Sequence, residues 1–191
     1  MAGVSKACCS IPPVVSKGYE AKGEYKTIGG LKTYVTGPAD ATRAILIIYA
    51  APPGHLAKFP GILADANKEA SSGSGFASWG ILGFCWGGKV ANLALGKDTA
   101  FKAGAQAHPA MLDPEDAKNV SVPIALLASK DEDPAAVKGY EANLKVAKHV
   151  DTYPTQIHGW MAARANLEDP EVKKEYERGY HAVLDFFHQH L

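Results

Sequence analysis

The sequence predicts an α/β protein: an open, mostly parallel sheet with helices on both faces. Three observations lead there. Residues 44–49, Ala-Ile-Leu-Ile-Ile-Tyr, form an unbroken apolar, β-branched run, the pattern of a strand buried on both faces of a parallel sheet. Comparable runs then alternate with helix-length segments, the rhythm of right-handed βαβ units. Asp-Pro recurs at 113–114, 133–134 and 169–170, the pairing of an N-cap with proline at the first helical position.

Taken in order, residues 1–22 read as a loosely ordered tail and residues 23–191 as one domain, which is as much as a chain of 191 residues accommodates. Two short β-prone runs, 24–28 and 31–36, are split by Gly29-Gly30, the pair a two-residue hairpin turn favours because both positions need φ > 0. The strand at 44–49 follows, then a helix over about 61–70 and a strand at 78–84. A helix at 86–95, a strand at 103–107, a strand at 122–128 and a shorter one at 149–153 continue the alternation. The Asp-Pro pairs mark helix starts between and after these strands.

Composition narrows the partners. The 20 basic and 20 acidic residues cancel, and no run gathers one sign, so nucleic acid and anionic membranes are not expected partners. The N-terminal residues lack the unbroken apolar stretch of a secretory signal, and no segment has the length to span a bilayer. Three cysteines, an odd number, do not make a disulfide framework. Cys8 and Cys9 are adjacent in the tail, with no second Cys/His pair at zinc spacing, so no metal is expected. A reducing, cytoplasmic compartment fits this usage.

In open α/β sheets, reactive groups gather at the carboxyl ends of the strands. Cys85 stands at such an end, in Gly83-Phe84-Cys85-Trp86-Gly87-Gly88, where a strand turns sharply into a helix. This is a nucleophile elbow with cysteine in the serine position. Trp86 would turn its amide toward an oxyanion, and the helix N-terminus lowers the thiol pKa. The alternative for an isolated cysteine is a small buried hydrophobe. Residues 83–89 also satisfy Gly-x-x-x-x-Gly-Lys, but Val90 stands where phosphate chemistry needs a Ser or Thr hydroxyl.

An acid and a histidine should follow in that order. After the strand at 122–128 come Asp131, Glu132 and Asp133. Asp133 is committed to capping and Glu132 is the longer side chain, which leaves Asp131 as the candidate. His158, after the last short strand and before the final helix, fits the general base. His108, at the end of the strand at 103–107, reads as a pocket wall.

On these residues the chain resembles the dienelactone hydrolase family, and its eukaryotic branch in particular. The likeness rests on the elbow, on Lys130-Asp131, and on His158-Gly159-Trp160 with Arg164 shortly after, and it runs from about residue 22 onward. It implies an α/β-hydrolase fold and a Cys85-Asp131-His158 triad that opens small esters or lactones without metal or organic cofactor. It also implies one oxyanion donor from Trp86, with His108, Trp160 and Arg164 on the substrate side. Arg164 is similar to an arginine the family turns toward a substrate carboxylate, though an arginine facing solvent reads equally well. The chain departs from the family after Tyr49, where Ala50-Ala51-Pro52-Pro53-Gly54 replaces an acidic residue, a Phe-Gly loop and a further strand and helix. That departure implies loss of the second oxyanion donor, and either re-pairing of the hairpin with the strand at 44–49 or an open edge that invites self-association. Two functions stand: a cysteine-dependent hydrolase of small lactones or esters, and a relative that binds a ligand or partner without turnover.

Overall fold

In a computed structural model, the structure describes Val14 and residues 20–49, 53–68 and 75–191. Cys8, Cys9 and the far end of the expected first helix lie outside the described residues. The chain opens with a hairpin of β1 (Glu24–Ile28) and β2 (Leu31–Val35), paired from Glu24 opposite Val35 to Ile28 opposite Leu31. Gly29 and Gly30 turn it with φ of 58° and 74°, the left-handed region a two-residue turn demands. Ile28 is buried against the domain, and a β-carbon at Gly29 would press on Ile62, so the turn itself is packed.

The main sheet contains β3 (Arg43–Ile48), β4 (Ser78–Phe84), β5 (Ala103–Ala107), β6 (Ile124–Ser129) and β7 (Lys148–Tyr153), all parallel and ordered as in the chain. A 3₁₀ turn (Pro53–Lys58) leads into α1 (Phe59–Lys68), which connects β3 to β4. The later helices are α2 (Trp86–Leu93), α3 (Pro134–Asn143) and α4 (Pro170–His190). On one face, Phe59, Ile62 and Leu63 of α1, Val90 of α2 and Val137 of α3 bury Ile81, Ile124 and Leu126. On the other, Val183, Phe186 and Phe187 of α4 bury Leu82, Phe84, Ala105 and Leu127. Helices on both faces of a parallel sheet are the layering expected from the alternation.

All three Asp-Pro signatures are caps. Asp113, Asp133 and Asp169 accept from the amides of Glu115, Ala135 and Glu171, each at 2.9 Å. The first, however, opens only a six-residue 3₁₀ helix (Pro114–Asn119). Capping chemistry marks a start and says nothing about length.

The strand at 44–49 departs from expectation more instructively. It is an edge, bonded within the described residues to β4 alone, because the hairpin forms a separate two-stranded sheet. Ile45 and Ile47 stand opposite Gly80 and Leu82, on the α4 side of the sheet, yet they are 37% and 49% exposed. Only the face carrying Leu46 and Ile48 joins a core. An unbroken apolar run thus identified a parallel strand correctly and its two-sided burial incorrectly. Of the two outcomes expected for the hairpin, the open edge is the one found among the described residues.

Candidate active site

Glycines make the elbow. β-Carbons at Gly83 and Gly87 would collide with the backbone of Gly87 and with the Ile48 carbonyl, and one at Gly88 would lie 2.9 Å from Pro109 Cβ. Strand and helix therefore meet more closely than side chains permit. Cys85, at the junction, has φ 53° and ψ −117°, a conformation costly for a residue with a β-carbon. The surroundings hold it there. Its amide donates to the Ala107 carbonyl (3.2 Å), and its own carbonyl accepts from Gly88 (3.0 Å) and Ala110 (2.9 Å). The Gly87 amide reaches the Tyr49 carbonyl at 3.4 Å, tying the helix start to the end of β3. The Cys85 side chain is half-buried. Trp86 opens α2, so its amide is among those with no carbonyl partner inside the helix.

His158 is fully buried on the loop after β7. Its Nδ1 lies 2.7 Å from Oε1 of Glu132, and both side chains are almost wholly shielded from solvent. The other Glu132 oxygen accepts from the Ser129 amide. The contact expected of Asp131 is therefore made by Glu132. Asp131 instead accepts from the backbone amide of His158 at 2.7 Å, so its carboxylate braces the main chain and does not hold the ring. From position 131 the carboxylate is spent on the near backbone, whereas the longer side chain one residue on reaches back to the ring. The Nε2 atom of His158 is buried and has no hydrogen-bond partner among the described residues.

His108 has φ 38°, which turns it inward at the end of β5, with its ring centroid 5.0 Å from that of His158 and 5.7 Å from that of Phe84. Neither ring nitrogen has a partner among the described residues. Burial, followed by the charges of His158 and Arg164, pushes its pKa down to about 3. It is held neutral beside the His158 ring. Since its ordinary value is 6.5, the unfolded chain takes up a proton there as pH falls and the folded chain does not. His108 therefore leaves stability intact above about pH 6.5 and erodes it progressively as pH drops toward 3. In His108→Gln, the difference in unfolding free energy between pH 7 and pH 5, read from urea titrations, is expected to shrink. An unchanged difference would assign the acid sensitivity elsewhere.

The other substrate-side expectations divide. Trp160 has no exposed surface. It packs at 4.2 Å between ring centroids on Tyr153 and against Gly179 of α4, so it belongs to the core behind the site. Arg164 lies over Gly159, near enough to influence His108. One neighbour was not foreseen: Tyr49 stacks on Phe84 at 5.0 Å and 10° while remaining largely exposed. Among the described residues, no three or more His, Cys, Asp or Glu side chains gather where they would hold a metal ion.

The profile of the dienelactone hydrolase family matches residues 58–191. The chain belongs to the dienelactone hydrolase family. Two uncharacterized AIM2 family proteins of Schizosaccharomyces pombe are 43% and 40% identical to it over 113 residues, 56% of this chain and 45% of each relative. A carboxymethylenebutenolidase homolog of Xenopus tropicalis is 28% identical over 119 residues, covering 59% of this chain and 48% of the relative. The chain thus spans less than half the length of these relatives. Among solved structures, the dienelactone hydrolase of Anabaena variabilis superposes with a TM-score of 0.57 at 13% identity, over 90% of this chain and 98% of that one. An acylaminoacyl peptidase of Pyrococcus horikoshii gives 0.62 at 12% identity, over 91% and 42%. Both share the α/β-hydrolase fold, and no helix among the described residues is long and apolar enough to cross a membrane.

Proposed function

We propose that the chain hydrolyses small esters or lactones through a thioester on Cys85. The observation that carries this reading is a cysteine held at positive φ on the N-terminus of α2, at the same carboxyl end of the parallel strands as a buried histidine whose Nδ1 is bound to a carboxylate. His158 takes the thiol proton of Cys85, the thiolate attacks the ester carbonyl, the carbonyl electrons move to oxygen, and the Trp86 amide stabilises the resulting anion. On collapse, the C–O bond to the leaving alcohol breaks and His158 donates the departing proton. Water then adds to the thioester as His158 accepts its proton, the C–S bond breaks to release the acid, and His158 returns the proton to the Cys85 sulfur. No metal or organic cofactor enters these steps, and a reducing compartment such as the cytoplasm keeps Cys85 a thiol.

A chromogenic aryl acetate should release a burst of product equal to the enzyme present, followed by slower turnover, with the acetyl group found on Cys85 by mass spectrometry. Binding without release would favour the second reading, a relative that retains the site and has lost the reaction. The observation on that side is the edge of β3, unpaired among the described residues, where the family resemblance implies a further strand. Loss of one oxyanion donor typically lowers the rate about 100-fold to 1,000-fold.

The same edge bears on assembly. Unpaired strand groups beside Ile45 and Ile47 recruit another strand, and a charge on such an edge blocks pairing. Sedimentation should show self-association of the wild-type chain and a shift toward monomer in Ile47→Lys, with the burst preserved. Identical sedimentation of the two would remove the edge as the contact.

A further inference from the structure

Three acids in a row follow β6, and each has a different task. Asp133 caps α3, Asp131 accepts from the backbone of His158, and Glu132 lies on the imidazole. We infer that Glu132, and not Asp131, is the positioning carboxylate of the site, while Asp131 is a brace that holds the His158 backbone within its reach. The inference rests on the hydrolase reading only in taking His158 as the base.

The geometry separates the two roles. Both Glu132 oxygens are engaged, one by the His158 ring and the other by the Ser129 amide, so the buried carboxylate is anchored to the end of β6. Burying a carboxylate is costly unless it is hydrogen-bonded in this way. An acceptor at Nδ1 fixes the proton there and leaves the Nε2 lone pair free to take a proton from a thiol or water. That nitrogen is the one without a partner among the described residues. Asp131 accepts from the His158 amide, its own amide donates to Ser129 Oγ at 3.2 Å, and the neighbouring Lys130 amide donates to the Gln156 carbonyl at 3.0 Å, so this residue shapes the loop. It acts on where His158 sits. Glu132 acts on which nitrogen carries the proton.

Length matters too. Glu132 starts one residue beyond Asp131 and reaches back across the turn, so an aspartate at 132 falls short of the ring. Glutamine keeps the length and reverses the chemistry: its amide donates to Nδ1, moves the ring proton to Nε2 and disables the base. A carboxylate-to-amide change of this kind behind a catalytic histidine costs about 10⁴-fold in kcat.

The test compares E132Q, E132D and D131N in the full chain, by ester kinetics and by NMR of ¹⁵N-labelled histidine. In the wild-type protein, the His158 ring should show the Nδ1–H tautomer with its proton far downfield. E132Q and E132D should lose that signal and about 10³-fold to 10⁴-fold in kcat with little change in KM. D131N should keep the signal, retain kcat within about tenfold and lower Tm. Loss of the signal in D131N, whether alone or equally with E132Q, would overturn the assignment. The NMR readout does not require turnover, so a chain that hydrolyses nothing would defeat the hydrolase reading while still reporting the partner of His158. If the variants at 132 fail to fold, a crystal structure of the unaltered chain decides: Nδ1 on Asp131 overturns the inference, and Nδ1 on Glu132 sustains it.

Discussion

Removing the Cys85 thiol should reduce ester hydrolysis to the uncatalysed background. In Cys85→Ala, the expected fall in kcat is on the order of 10⁶-fold, the size seen when an enzyme loses its attacking atom. The two other cysteines, Cys8 and Cys9, are adjacent in the N-terminal segment, far from the elbow in sequence. With limiting iodoacetamide, Cys85 should be alkylated before that pair, because the helix N-terminus favours its thiolate. The strain at this position supplies an internal control. With φ at 53° and ψ at −117°, Cys85→Gly removes a β-carbon from a conformation that glycine tolerates, so the inactive variant should unfold at higher denaturant than wild type, by about 1 kcal/mol or more. Activity and stability would then move in opposite directions. If Cys85→Ala still turns over ester, or the tail cysteines label first with activity intact, the nucleophile lies elsewhere.

Loss of the imidazole at 158 should be nearly as damaging. His158→Ala is expected to lower kcat by about 10⁴-fold or more, with partial recovery on adding free imidazole. It also leaves the Glu132 carboxylate buried without its ring partner, which costs about 1–3 kcal/mol or more. His108→Ala, beside it, should behave differently. Its imidazole is held neutral, with a pKa of about 3, and has no carboxylate to set its tautomer. The expected change is chiefly in KM, with kcat within about tenfold. Equal losses of kcat in the two variants would mean that the base has been misassigned.

What could be read from the sequence was what depends on order along the chain. Strand ends, glycines around a turn and the succession of thiol, acid and histidine are one-dimensional signals, and they located Cys85 and His158 at the carboxyl end of the sheet. The choice among Asp131, Glu132 and Asp133 is of another kind. It depends on which way the turn after β6 rotates each Cα–Cβ bond and on how far each side chain reaches. The place of Trp160, expected on the substrate side from the family resemblance, depends likewise on packing that the sequence does not show, since α4 brings Gly179 against it and leaves it no exposed surface. The apolar run at β3 could not report its own neighbours. Valine-like composition suits a central strand and a half-bare edge alike, and only the pairing partners distinguish them.

Because the five main strands lie side by side in the order in which they are written, the sheet can be laid down during synthesis by adding each new strand to an outer margin already in place. The elbow exists as soon as β4, α2 and β5 have left the ribosome. The ring and carboxylate that complement it come later, and α4 comes last. Until that helix arrives, the side of the sheet carrying Leu82, Phe84, Ala105 and Leu127 lacks the cover of Val183, Phe186 and Phe187. A nascent chain would therefore keep an apolar surface open after the elbow, the ring and the carboxylate are in place, until Phe186 and Phe187 dock.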